Sequence, residues 1–286
     1  MILDEEKILP YVFSMENTHP FDPPYIAFFQ HNEKSLYFVV SAHIARITKA
    51  PITDHPTLKT IDHIYQHVQP ELAIIEGIHT GDKVDAKSIA VAANKCRKIQ
   101  YEIGCGESFY TINKTEDNYS HYVSGEPSEE EIKTSLINSH FSELDLLGFY
   151  VLRQIPTLKR QGEWSEVKRK KIIYNLLQKF SSQIGTHSTY GLSEFEKWYR
   201  EHRVGLKNWN EINADDCAPY TGPDATYVQK ISHQVGSIRD RFLLKRIQWA
   251  LDNYKKIIVV YGGSHYLTLR KALENALGRP REVKKF

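Results

Sequence analysis

Two short runs of this chain, 72–75 (LAII) and 257–261 (IIVVY), are apolar at every position, although most of the chain lies between them. A strand without polar positions is buried on both faces, which is typical of parallel sheets covered by helices on each side. Segments 56–68, 86–98 and 264–277 have the pattern of such helices. The sequence therefore predicts an α/β fold with a small, mostly parallel sheet flanked by helices.

Three further segments have the composition of strands. Segments 25–29 and 36–40 are rich in aromatic and β-branched residues and are separated by a polar stretch, which predicts a hairpin. Segment 101–105 is a predicted short strand. These elements place the first part of the sheet within the N-terminal third of the chain.

The middle of the chain has a helical pattern. Three serines there each precede an acidic residue by three positions, which is the spacing of a capping box: Ser128, Ser142 and Ser193. We therefore predict an α/β core formed by 1–122 together with 255–286. The segment 123–254 is predicted to be a large, mainly helical insertion that acts as a cap, with its last helix (about 225–254) packing back on the core.

Charge and hydropathy exclude several classes of function. The 286 residues contain 37 Lys and Arg against 35 Asp and Glu, a net charge of +2, which is too balanced for a protein that binds nucleic acid non-specifically. No apolar run approaches the ~20 residues of a membrane span. The first ten residues are acidic where a secretory signal is basic. We expect a cytoplasmic protein with no nucleic-acid partner and no membrane span.

The cysteine content is low and irregular. Cys96, Cys105 and Cys217 are odd in number and contain no C-x-x-C pair, which argues against a disulfide framework and against a structural zinc site. The C-x-x-C-H motif of covalent haem attachment is missing as well.

Four chemically active side chains follow predicted strands. His43 follows the second strand, Glu76 follows 72–75, Glu107 follows 101–105, and His265 follows 257–261. In open α/β sheets ligands bind beyond the carboxyl ends of the strands, so these four side chains are predicted to lie at one edge. A strand-end carboxylate or a solvated histidine remains the alternative at each position.

The segment Gly262-Gly263-Ser264-His265 permits a tight turn into a helix. The positive end of the helix dipole disfavours imidazolium at His265, and a neutral imidazole is what a metal ligand or a general base needs. The exposed amides of Gly262 and Gly263 could instead form a nest for an anion such as phosphate.

Arg239 and Asp240 lie on the apolar side of a predicted helix. At 100° per residue they fall about 40° and about 60° from Leu243, inside the arc that Leu243 shares with Ile247. Charges on a buried face are paired or line a polar cavity. We expect either a structural ion pair to the sheet or a role at the site.

In order along the chain, these motifs resemble a superfamily that links the TraB pheromone-shutdown proteins, the TIKI proteases and the erythromycin-esterase/ChaN-like proteins. The matching segments are Val40-Ser-Ala-His43, Gln69-Pro-Glu-Leu-Ala-Ile-Ile-Glu76, Ile238-Arg-Asp-Arg241 and Gly262-Gly-Ser-His265. The resemblance covers the two ends of the chain. Ser41 stands where the erythromycin-esterase branch has glutamate, and Val40 replaces a glycine.

The resemblance implies a hydrolase-like site of His43, Glu76 and His265, which depends on metal in some branches. We expect cleavage of an amide or ester bond in a small-molecule or peptide substrate. These three side chains either hold Zn, Mn, Co or Fe or activate water directly. Arg239 would stabilise the oxyanion or hold Glu76, and Asp240 would orient one imidazole. The alternative is binding without turnover, either of an anionic ligand or of haem through His43, His233 or His265.

Overall fold

The computed structural model describes residues 2–43, 54–78, 86–101, 105–165, 167–202 and 211–284. Within these residues a six-stranded mixed sheet has the order β4-β3-β5-β2-β1-β6. The pairs β2–β5, β3–β5 and β3–β4 are parallel, and β1 is antiparallel to β2 and β6. The strands are β1 (Tyr25–His31), β2 (Lys34–Ser41), β3 (Leu72–Ile75), β4 (His121–Ser124), β5 (Lys256–Gly262) and β6 (Arg281–Val283). The predicted α/β class is confirmed.

Helices precede, connect and follow the strands. Their bounds are α1 (Phe13–Thr18), α2 (Pro56–His67), α3 (Ala86–Lys98), α4 (Glu107–Asp117), α5 (Glu129–Asn138), α6 (Glu143–Arg160), α7 (Arg169–Ile184), α8 (Leu192–His202), α9 (Tyr227–Asn253) and α10 (Gly263–Leu277). Short 3-10 turns occur at Glu5–Lys7 and Asp215–Cys217. Among the described helices, none combines the length and apolar character that crossing a bilayer requires.

The chain divides into two compact units. One contains Met1–Leu9, Ser14–Pro127 and Arg239–Phe286, and therefore the whole sheet. The other contains Pro10–Phe13 and Ser128–Ile238 and is helical, with a core of its own built on residues such as Leu147, Ile173 and Phe195. That this second unit caps the site stays a prediction.

Successive side chains of a strand point to opposite faces of the sheet, and each face packs against its own set of helices. Phe38, Ile74 and Val259 belong to the cluster that includes buried residues of α9 and α10. Val39, Ile75 and Val260 belong to the cluster that includes buried residues of α2, α3 and α4. Burial on both faces explains why β3 and β5 have no polar position until their ends.

The strand predicted over 101–105 is not formed at residues 101 and 105, the two ends of the segment that the structure describes. Residues 102–104 lie outside the described residues, but Tyr101 has φ 58°, which is incompatible with an extended strand, and Cys105 is not in a strand either. The neighbour of β3 is instead β4, reached after α4. Glu107 consequently lies at the first position of a helix rather than directly after a strand.

Two of the three predicted helix starts are confirmed. Ser128 and Ser142 each form a complete capping box with an acidic residue three positions later, Glu131 and Asp145. The third is wrong, because α8 already begins at Leu192, which puts Ser193 in its first turn. There the backbone amide of Gly191 donates to Glu194.

One disulfide forms, contrary to the prediction from the cysteine pattern. Cys96 near the end of α3 is bonded to Cys105, with a Cα–Cα distance of 5.5 Å, and Cys217 is free and buried. Burial raises the pKa of the Cys217 thiol to about 12, so this thiol is inert as a nucleophile. Disulfides are rare in cytosolic proteins, so the cytoplasmic location stays a prediction.

Candidate functional site

The parallel strands β4, β3, β5 and β2 end at the same edge of the sheet, and three predicted residues meet there. The Nε2 atom of His43 lies 3.9 Å from Oε2 of Glu76, and the Nε2 atom of His265 lies 3.6 Å from Oε1 of the same carboxylate. His43 follows β2, Glu76 follows β3, and His265 follows β5. The two imidazoles therefore face one carboxylate from two different elements.

The Nδ1 atom of each imidazole, on the side of the ring away from Glu76, binds a second carboxylate. The Nδ1 atom of His43 lies 2.8 Å from Oε1 of Glu107, and the Nδ1 atom of His265 lies 2.5 Å from Oδ1 of Asp240. A carboxylate only accepts hydrogen bonds, so each Nδ1 is the donor. This fixes both rings with Nε2 directed towards Glu76, and it places Asp240 where the sequence predicted an orienting carboxylate.

His43 and His265 differ in their environment. The His43 side chain is 64% exposed, and the hydrogen bond to Glu107 raises its pKa to about 9, with Glu76 contributing. His265 is only 9% exposed on the first turn of α10, with the ring of Tyr261 edge-on against it. The surroundings of His43 therefore favour its imidazolium form.

Glu107 reaches His43 from the N-terminus of α4. Its carboxylate also accepts a hydrogen bond from the hydroxyl of Ser41, the last residue of β2. The side chain is only 8% exposed. The N-terminal end of a helix favours a carboxylate. Glu107 thus joins α4 to the end of β2.

Glu76 accepts a hydrogen bond on each oxygen. The guanidinium of Arg239 donates to Oε1 at 3.0 Å, and the backbone amide of Gly262 donates to Oε2 at 2.6 Å. The amide of Gly262, one of the two in the alternative anion nest, therefore already binds this carboxylate. Gly263, the other predicted nest residue, begins α10.

The guanidinium of Arg239 forms hydrogen bonds with two carboxylates. Besides Glu76 it binds Glu126 side-on, through Nε at 2.7 Å and a terminal nitrogen at 2.5 Å. Burial alone would lower the pKa of Arg239, but the pairing with Glu126 and Glu76 raises it well above its usual value. Of the two expected roles, the contacts support holding Glu76, because the guanidinium donates directly to this carboxylate.

Glu126 is a site residue that the sequence reasoning missed. It is 1% exposed and also accepts hydrogen bonds from the hydroxyl of Tyr261 at 3.2 Å and the amide of Gly77 at 3.3 Å. The sequence feature that could have identified Glu126 is the one that identified Glu76, a carboxylate directly after a strand, because Gly125-Glu126 follows β4. That strand is half-exposed and lacks an apolar run, so it was not predicted.

His233, predicted as a haem ligand, lies on the part of α9 that belongs to the helical unit. It is half-buried there. The carboxylate and imidazole contacts described above are all made within the unit that contains the sheet. Haem ligation by His233 stays a prediction.

The cluster carries a negative formal charge. The carboxylates of Glu76, Glu107, Glu126 and Asp240 outnumber the cations Arg239 and His43, which leaves two negative charges if His265 is neutral. Uncompensated charge in a partly buried site favours a counter-ion, and a divalent cation would balance it.

The two imidazoles and the Glu76 carboxylate are groups of the kind that bind divalent metal ions. Two atoms bound to one tetrahedral ion at about 2.1 Å are about 3.4 Å apart, against 3.6 Å and 3.9 Å here. Nδ1–carboxylate bonds are also typical of metal-binding histidines. Within the described ranges, no group of three or more His, Cys, Asp or Glu side chains is already arranged as a metal centre. Metal binding would displace a proton from His43.

Comparison with known proteins gives no relative for this chain. No protein-family model matches the sequence, no curated protein matches it, and no solved structure matches the fold. The resemblance to the TraB, TIKI and erythromycin-esterase/ChaN-like proteins therefore stays a prediction based on four short motifs.

The raised pKa of His43 predicts a pH-dependent contribution to stability. Because the folded pKa of about 9 exceeds the unfolded value of about 6.5, the contribution is complete below pH 6.5 and is lost as the pH rises through 9. Since the ring is 64% exposed, solvent screens the pair and we expect about 1 kcal/mol. The measurement is urea unfolding of wild type and His43→Gln at pH 6 and pH 10. A difference between the two proteins that is the same at both pH values would contradict it.

Proposed function

We propose that this protein is a hydrolase of amide or ester bonds, with His43, Glu76 and His265 holding a divalent metal ion. The observation that carries the proposal is the convergence of two imidazole Nε2 atoms on one carboxylate, with each Nδ1 bound to a further carboxylate. Two imidazoles and a carboxylate suit Zn, Mn, Co or Fe and leave positions for water and substrate. The negative formal charge of the cluster supports a cation in the same place.

Each residue of the site has a defined role in this proposal. A bound ion would lower the pKa of water and polarise the scissile carbonyl. Glu107 and Asp240 fix the tautomer and orientation of the two imidazoles. Arg239 and the amide of Gly262 hold the two oxygens of Glu76 in place.

The protonated state of His43 favours a second candidate mechanism for the same reaction, without metal. The Nε2 atom of His265 would take a proton from water, whose oxygen forms a bond to the carbonyl carbon. When the carbon–nitrogen or carbon–oxygen bond breaks, the His43 imidazolium would give its proton to the leaving group. The exposed ring of His43 would then regain a proton from solvent, and His265 would release the proton that it took from water.

The experiment combines metal analysis with a panel of amide and ester substrates on the wild type and His265→Ala. Activity that requires Zn²⁺, Mn²⁺, Co²⁺ or Fe²⁺ and disappears in His265→Ala supports the metal-dependent proposal. Activity that survives chelation but disappears in the variant supports direct acid–base catalysis. Equal activity in both proteins removes His265 from either mechanism.

Binding without turnover is less well supported by the contacts. An anionic ligand at this edge would meet a cluster of carboxylates, and the amide of Gly262 is already occupied. Titration of the protein with haem tests the remaining form of this alternative. A shift of the Soret band without hydrolysis of any substrate would favour it over the hydrolase.

Gly262 provides a substitution that acts mainly on His43, because an added Cβ atom would make only an ordinary contact of 3.4 Å with Oε2 of Glu76. A Cβ atom at position 262 would lie 2.7 Å from Nε2 of His43, so the ring must move, whereas φ −63° and ψ 155° suit an alanine. We expect Gly262→Ala to weaken Co²⁺ binding at least tenfold with little change in stability. The matched control is Gly263→Ala, whose Cβ makes only ordinary contacts of 3.5 Å with Pro23 and Val40. Equal Co²⁺ affinities of the two variants in titration calorimetry would contradict the placement of His43.

A further inference from the structure

Glu126 determines how the Arg239 guanidinium is oriented. The side-on pair uses Nε and one terminal nitrogen, at 2.7 Å and 2.5 Å, while Glu76 receives one bond of 3.0 Å from the same terminal nitrogen. Bidentate pairing fixes the plane of a guanidinium, and a single bond does not. Arg239 is therefore positioned by Glu126 and presents one edge to Glu76.

The surroundings of Glu126 are built to hold this carboxylate. Tyr261 and Gly77 donate to it, and its side chain is 1% exposed. Gly125 lies against the Tyr261 ring so closely that a Cβ atom would lie 2.5 Å and 2.8 Å from two of the ring carbons. Glu126 is thus fixed from β4, β5 and the turn after β3, which are the elements that end at the site.

The negative charge of Glu126 has a second effect on Glu76. The guanidinium carries one positive charge, and Glu126 compensates it directly. If Glu126 were neutral, Arg239 would pair with Glu76 alone. Glu76 would then have less negative charge available to a metal ion.

We propose that Glu126 is a positioning residue of the hydrolytic centre, which acts through Arg239 to set the orientation and the available charge of Glu76. This inference rests on the proposed function for the role of Glu76, but the contacts that carry it do not involve a metal.

The test compares the wild type with Glu126→Gln and Arg239→Lys. In Glu126→Gln an amide nitrogen faces one of the guanidinium donors, so the side-on pair is lost, and in Arg239→Lys the ammonium cannot make it. We expect Co²⁺ affinity to fall by about 10- to 100-fold in each, the range for residues that orient metal ligands. We also expect the amide proton of Gly262, which donates to Glu76, to move upfield in NMR spectra.

The two readouts separate this inference from the proposed function. If the wild type does not bind Co²⁺, the metal proposal fails, and the Gly262 resonance still tests the positioning role in the metal-free protein. If either variant folds and keeps both the wild-type Co²⁺ affinity and the wild-type Gly262 resonance, the positioning role is overturned. Should Glu126→Gln fail to fold, Glu126→Asp decides, because it keeps the negative charge beside Arg239 while its side chain is one methylene shorter and cannot reach the side-on position.

Discussion

Arg239→Met is expected to lower the free energy of unfolding by about 3–5 kcal/mol, the usual cost of removing one partner from a buried ion pair. The loss leaves Glu126, which is 1% exposed, and Glu76, which is 14% exposed, without their shared cation. Methionine fills a similar volume, so the effect reports charge rather than a cavity. Chemical denaturation at pH 7 measures it.

The double variant Arg239→Met with Glu126→Gln is the matched control for this substitution. It removes the more deeply buried of the two stranded carboxylates together with the cation, so we expect it to recover part of the lost stability. The single variant should also become relatively more stable as the pH falls, because an uncompensated buried carboxylate takes up a proton in the folded state. A loss below about 1 kcal/mol, with no coupling between the two positions, would show that the ion pair is not buried as described.

Removal of His265 is expected to have the largest effect on metal binding. His265→Gln keeps a donor towards Asp240 but loses Nε2, and we expect Co²⁺ or Zn²⁺ affinity to fall at least 100-fold, since loss of orienting residues alone costs 10- to 100-fold. At a metal concentration about 100 times the wild-type Kd, the stabilisation of about 2.7 kcal/mol would fall to about 0.4 kcal/mol. Thermal unfolding with and without metal measures this difference.

His187→Gln is the control for metal bound by a surface histidine. The His187 side chain is 86% exposed and lies in the helical unit, so its removal should leave the metal-dependent stabilisation unchanged. If the two histidine variants respond equally, or if His265→Gln is stabilised as much as the wild type, His265 does not hold a metal.

The sheet could be predicted from the sequence because its central strands are extreme in composition. β3 and β5 have the continuous apolar run of strands buried on both faces, and the β1–β2 hairpin is rich in aromatic and β-branched residues. β4 and β6 could not be predicted in this way. They are short edge strands, and their half-exposed side chains resemble those of a loop.

The site was predictable wherever a residue directly follows a strongly patterned element. Glu76 and His265 follow β3 and β5, and the helical period placed Arg239 and Asp240 towards the core, where Asp240 binds His265. Glu126 was missed together with β4, although it makes the strongest contact with Arg239. The Cys96–Cys105 bond was missed because the cysteine count does not show that the end of α3 lies beside the start of α4.

The central claim is that His43, Glu76 and His265 form one metal centre. The most direct measurement is anomalous diffraction from crystals of the protein grown with Co²⁺ or Zn²⁺. We predict one anomalous peak at about 2.1 Å from Nε2 of His43, Nε2 of His265 and the carboxylate of Glu76. A fully occupied metal elsewhere, or the two imidazoles turned away from Glu76, would contradict the claim.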